Sequence, residues 1–301
     1  MNRSAAGLVL LLLAAAPAVA GRHVVVVEGL GGEARYNEAF ADQVGKIEAA
    51  SGSVVDAEGL HVLRGPDANL AAIEALFAGL ADAASPADEL VVYLVGHGTF
   101  DDHQYKFNLP GPDLTGDAFA ALLEAHPAAT QLVVATGSSS GALEDLLAGE
   151  GRTSVLATRS GRERHATTFG TWFAMALGDE AADLDKNRAI TAGEAFRFAE
   201  RQVADYYEGN NQLATEHPTL AGEFADELTL ARFPGSGAGS TDSRLAALLQ
   251  ERQRINGEIE ALRLARGNMP ADEYQAKLLD TMLELARLEE RIEARQGEVA
   301  Q

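Results

Sequence analysis

Leu90-Val91-Val92-Tyr93-Leu94-Val95 runs into Gly96-His97-Gly98, and Gln131-Leu132-Val133-Val134-Ala135 runs into Thr136-Gly137-Ser138-Ser139-Ser140-Gly141. Short, continuously apolar runs closed by glycine are what strands buried on both faces require. Residues 23–28, 60–63 and 154–158 read the same way. Between these runs lie amphipathic stretches at residues 36–51, 67–84, 115–125 and 141–147, which predict helical crossovers. The expectation is an α/β fold, a mostly parallel sheet covered by helices. In such sheets functional residues sit at the carboxyl ends of strands, so the loops at 96–100 and 136–141 carry the chemical question.

A histidine between two glycines, exposed at a strand end, is placed to act as a general base. The neighbouring strand delivers a cluster of hydroxyls to the same edge, with Ser138 as a nucleophile within reach of His97. Gly98 and Ser139 are then candidates for an oxyanion site or an alternative nucleophile. The other reading is structural: Ser139 or Ser140 caps the helix starting at Gly141, and the glycines permit the turn. Gly137-Ser138-Ser139-Ser140-Gly141 also fits G-x-S-x-G, the nucleophile elbow of α/β-hydrolases, with Ser139 as nucleophile and Asp183 or Asp185 and His217 as later partners.

The order strand, Gly-His-Gly, strand, small-residue turn with Ser-Gly, helix resembles the legumain and caspase clan of cysteine peptidases. In that clan a His-Gly loop supplies the base, and the nucleophile follows the next strand as Ala-Cys-x-Ser-Gly. Laying Ser140 and Gly141 on the family's Ser-Gly puts Ser138 at the position of the cysteine. LATRSGRERHATTFGTWFAMAL (156–177) is similar to the family's fifth strand, its Glu-containing loop and the following helix, and NNQLATEHPTL (210–220) resembles exported bacterial relatives of legumain. The resemblance implies a caspase-like α/β domain, a remnant dyad of His97 and Ser138, and a cleft that binds peptide or protein.

The chain has no cysteine. A thiol is partly ionised and strongly nucleophilic near neutrality, whereas a serine hydroxyl needs a strong base and a prepared oxyanion site. The expected function is therefore a pseudo-peptidase that keeps the cleft without turnover. The alternatives are a serine-dependent hydrolase using His97 and Ser138, and an assembly protein acting through its C-terminal segment. None of these readings requires a cofactor.

Asp183, Asp185, Asn187, Thr191 and Glu194 occupy positions one, three, five, nine and twelve of an EF-hand loop, a spacing of oxygen ligands that can wrap one Ca2+ ion. Arg188 stands where glycine normally makes the turn. The alternative is an Asp-rich helix start in which Thr191 caps Glu194. Arg159, Arg162, Glu163, Arg164 and His165 form a basic loop suited to a carboxylate of a bound peptide, or simply solvated. His103, His126 and His217 are not at metal-ligand spacing and read as surface or capping residues.

Composition bounds the partners. Lys and Arg number 24 against 45 Asp and Glu, a formal charge of -21 over 301 residues, which disfavours nucleic acid. Residues 1–20 have one basic residue, an apolar run and Ala18-Val19-Ala20, the pattern of a cleaved signal peptide, so a periplasmic or secreted protein without a membrane anchor is expected. The caspase-like domain is expected over 21–234, a Gly/Ser linker over 235–242 and a helical hairpin over 243–301. In that hairpin Leu245, Leu248, Ile255, Ile259 and Leu262 face Tyr274, Leu278, Met282, Leu285, Leu288 and Ile292 across a turn at Gly267 to Pro270. Its apolar stripe suggests packing on itself, on a second chain or on a partner.

Overall fold

The computed structural model describes residues 21–233 and 269–299, with residues 248, 251, 252, 254, 255, 259 and 262. The expected signal peptide, the 235–242 linker, and Leu245 and Gly267 of the expected hairpin lie outside the described residues. β1 (Arg22–Glu28), β2 (Leu60–Leu63), β3 (Glu89–Val95), β7 (Thr130–Ala135) and β8 (Arg152–Leu156) pair in parallel, and β10 (Thr219–Ala221) closes one edge antiparallel to β8. The order is β10-β8-β7-β3-β1-β2.

Alternation along each strand divides the core in two. Val24 and Val26 of β1 and Val91 and Tyr93 of β3 face α1 (Ala34–Ser51), α5 (Phe169–Ala176) and α6 (Ala192–Gly209), where Phe40, Phe169, Phe173 and Phe198 fill the layer. Val25, Val27, Val92 and Leu94 face α2 (Leu70–Ala83) and α3 (Gly116–Ala125), against Phe77, Phe119 and Leu123. The centre of the sheet is therefore covered on both sides, as the continuous apolar runs of β1, β3 and β7 require.

Helix starts follow cap chemistry. The stretch expected as helical from residue 67 becomes α2 only at Leu70, because Gly65–Asp67 forms a 3-10 turn around Pro66 and the Asn69 side chain accepts from Ala72 N. Thr115 caps α3 through Ala118 N. The helix expected at 141–147 is a 3-10 turn over Ser140–Leu143 followed by the single turn of α4 (Glu144–Leu147). Two small sheets lie outside the periodic pattern. β4 (Gly98–Phe100), β5 (Tyr105–Phe107) and β6 (Leu114–Thr115) form an antiparallel flap directly after the His97 loop, and β9 (Ala189–Thr191) pairs with β11 (Thr229–Arg232) beside the acidic loop.

α7 (Ala271–Val299) carries the C-terminal stripe. Leu288 and Ile292 bury against Ile255 and Ile259, with Leu248, Leu278 and Leu285 at the margin. Arg252 pairs with Glu289 and Arg254 with Glu284, so rising number on one side meets falling number on the other, as in an antiparallel hairpin. Among the described residues no helix is long and apolar enough to cross a membrane.

Candidate functional site

β3 and β7 are adjacent and in register to Leu94 and Ala135, so the loops that follow them leave the same edge. They are pressed together: a Cβ on Gly137 would run into the Gly96 carbonyl oxygen, so only glycine fits. Ser138 is buried at 4 % exposure, and its Oγ donates to the Gly98 carbonyl at 3.0 Å. Ser139 takes a left-handed conformation, φ 58°; its Oγ is fully buried with no hydrogen-bond partner among the described residues. Its N–H donates to the Glu163 carbonyl at 2.8 Å, which removes that donor from an oxyanion role. Ser140 Oγ accepts from Thr158 N at 3.2 Å, and Thr158 Oγ1 accepts from Gly141 N at 2.8 Å. The Ser140–Gly141 corner is thus tied to the end of β8.

His97 stands on the same edge but faces α1. Its ring meets Tyr36 and Phe40 edge to face, with centroids at 4.6 and 5.0 Å, and it bonds the Gly31 backbone. Burial lowers its pKa below the ordinary histidine value, opposed by the Glu33 charge and the Gly31 bond, so the ring is neutral near pH 7. No hydrogen bond joins His97 to Ser138 among the described residues. The loops bring the two residues to one edge while their polar atoms engage different backbone partners.

The basic loop closes over this corner. Glu163 is its internal anchor: its carboxylate accepts from Arg159 N and His217 N at 3.1 Å each and lies 2.6 Å from His217 Nδ1. Arg159 Nε stands 3.3 Å from the same carboxylate and Arg164 pairs with Asp102 at 2.9 Å, while Arg162 is exposed and has no ion pair among the described residues. The elbow's expected partners belong to separate clusters, since His217 bonds Glu163 while Asp183 and Asp185 converge with Glu194.

That second cluster gathers three of the five residues at loop positions. One carboxylate oxygen each from Asp183, Asp185 and Glu194 lies within 4.8 Å of the others. Asp183 accepts from the N–H groups of Asn187 and Arg188, Asp185 from Asn187 and Glu194 from Leu184. Arg188 makes the turn itself at φ 62°. Thr191 accepts from Glu194 N and donates to its carboxylate, completing a capping box for α6. The capping box is therefore formed, and of the five residues at loop positions Asp183, Asp185 and Glu194 converge. Burial pushes the Asp185 carboxyl up to about 6, opposed by Arg252. These residues suit a hard cation in charge and atom type, and Asn187 Oδ1 is engaged by Ala189 N.

Three features escaped the sequence. Glu216, 2 % exposed, accepts from Thr168 N, Thr168 Oγ1, Phe169 N and Tyr207 OH, capping α5 from a distant segment. His23, His61 and His126 gather at the amino end of the sheet. Arg252 reaches the acidic loop. Each depends on residues far apart in the chain, and local spacing carries no signal for them; only the tract around Glu216 stood out, by resemblance.

No protein-family model and no curated protein sequence matches the chain. Solved structures do. A Geobacter sulfurreducens structural-genomics protein aligns at TM-score 0.43 and 12 % identity over 67 % of this chain and 92 % of its own. Caspase-1 from Spodoptera frugiperda aligns at 0.43 and 10 % over 67 % and 86 %, and the Drosophila initiator caspase Dronc at 0.38 and 8 % over 70 % and 81 %. Scores below 0.5 at such identities carry neither family nor activity.

Proposed function

We propose that this chain is an exported, caspase- and legumain-like pseudo-peptidase that binds peptide or protein at the carboxyl edge of its sheet. The observation that carries the reading is the state of Ser138. Its hydroxyl is buried and donates to the Gly98 carbonyl, while the His97 ring packs on Tyr36 and Phe40 and bonds Gly31. A serine nucleophile needs its proton directed at a base. Arg159 and the exposed Arg162 on the adjoining loop supply positive charge for a ligand carboxylate in an otherwise acidic chain.

The second reading, a serine-dependent hydrolase using His97 and Ser138, is favoured by the adjacency of β3 and β7, whose following loops carry both residues to one edge. Fluorophosphonate treatment of the exported protein followed by peptide mapping separates the two. No label on Ser138 or Ser139 in a folded sample is the expected result; label at either residue overturns the pseudo-peptidase. In the same preparation, fluorescence anisotropy with acidic peptides should detect binding that weakens in Arg162→Ala.

A further inference from the structure

The C-terminal segment sends one arginine into the acidic loop. Arg252 is 1 % exposed, and its Nη2 lies 3.6 Å from Asp185 Oδ1 while Nη1 lies 3.7 Å from Glu289 Oε2. Its Nε and Nη2 have no hydrogen-bond acceptor among the described residues. A buried guanidinium normally satisfies its donors, and leaving them unmade is costly. The side chain is held by charge between Glu289 and Asp185, which already accepts the Asn187 N–H. Beside it opens a cavity of about 390 Å3 lined by Asp183, Lys186, Arg188, Phe233, Arg252 and Glu289, which gives solvent and ions a route to the cluster.

We propose that the Asp183–Asp185–Glu194 loop is a divalent-cation site for an ion of the Ca2+ class, and that Arg252 is its built-in competitor, so that cation binding and docking of the C-terminal hairpin exclude each other. Three converging carboxylates demand positive charge. In the docked arrangement one guanidinium supplies it. A Ca2+ ion needs oxygen ligands at roughly 2.3–2.6 Å, including those of Asp185, and a guanidinium beside the same oxygen would then face a dication. The arginine must withdraw, and it carries with it the segment that packs Ile255 and Ile259 on Leu288 and Ile292. Asp183 and Glu194 stay oriented by their own N–H donors in either state. The switch thus moves the tail rather than the loop, and it is independent of whether the serine corner turns over any substrate.

The test is calorimetric titration of full-length protein, freed of metal by chelation, with CaCl2, alongside Arg252→Ala and Arg252→Met. The methionine variant keeps the apolar stem should alanine fail to fold. Removing the competitor should tighten Ca2+ binding by roughly tenfold, the scale of one charge-assisted contact. Asp185→Asn should weaken it in both backgrounds. Hydrogen exchange read by mass spectrometry should show Ca2+ raising exchange in residues 248–262 of the unaltered protein. Equal affinities with and without Arg252, absence of binding at millimolar Ca2+ in all three proteins, or binding that leaves exchange in 248–262 unchanged would each overturn the proposal.

Discussion

The two ends of the sheet leave different kinds of polar side chain without a partner. At the carboxyl end Ser138, Ser140 and Thr158 each find a partner, largely in the backbone, Ser139 Oγ finds none among the described residues, and the corner is locked by Gly137 against Gly96. At the amino end His23 Nδ1, His61 Nε2 and His126 Nε2 are buried with no hydrogen bond among the described residues, and His23 is centred 6.2 Å from His61 and 6.3 Å from His126. Asp88, in contrast, is well served there, accepting from Gly21 N, Ser85 N and Ser85 Oγ. Position at a strand's carboxyl end therefore marks where chemistry is expected, yet in this chain the unsatisfied imidazoles collect at the other end. The serine corner behaves as architecture, and the histidine cluster holds ring nitrogens buried without partners among the described residues.

The largest effect on this contrast is expected at Glu216. Its carboxylate serves donors from two elements, so Glu216→Ala strands several buried N–H and O–H groups and should cost about 3 kcal/mol or more. Urea unfolding followed by circular dichroism reads this directly. Glu216→Gln keeps the shape and one acceptor oxygen and should recover part of the loss. Next comes Gly137→Ala. The added methyl meets the Gly96 backbone, which cannot rotate away as a side chain would, and about 2 kcal/mol of destabilisation is expected. If Gly137→Ala is neutral, the carboxyl edge is loose enough for the serine loop to reorganise around a substrate.

Much of this architecture was legible. The central strands β1, β3 and β7 were readable because strands buried on both faces carry a continuous apolar run, whereas β2 with His61 and β8 with Thr153 and Ser154 interrupt it. The flap β4–β6 was not, because its strands have two or three residues and β5 alternates Tyr105, Lys106 and Phe107 over too short a span. The loops around His97 and Ser138 could be placed at one edge, but the direction of each side chain was beyond sequence. His97 turns towards Tyr36 and Phe40, two residues of a helix far earlier in the chain, and nothing in Gly96-His97-Gly98 encodes that choice. The acidic loop was legible because its carboxylates are local in the sequence. Its partner Arg252 was not, since an arginine in a heptad-like stripe of charged residues looks like any other solvated side chain.

Ser138→Ala is a smaller perturbation. It removes one neutral hydrogen bond to the Gly98 carbonyl and should cost about 1 kcal/mol in the same unfolding assay. A structural serine predicts that cost with ligand binding intact. A larger effect on hydrolysis of any ester or peptide than on stability would return Ser138 to a catalytic role.

The smallest effect near neutrality is the pH profile, and it bears on both ends of the sheet. Burial lowers the pKa of His61 and His126, and the His23 charge lowers both further; burial likewise lowers that of His97 at the opposite edge. The folded values lie below the unfolded value of about 6.5, so on acidification the unfolded chain takes up protons first. Stability from these groups is complete above about pH 6.5 and declines as pH falls from there towards the folded values, below which it levels. Urea midpoints measured from pH 7.5 to pH 5 should therefore fall. His61→Gln with His126→Gln removes two of the three contributors and should flatten the acid side more than His97→Gln does. A profile flattened mainly by His97→Gln would locate the titratable strain at the carboxyl edge instead, where a base poised to accept a proton is what a working dyad would need.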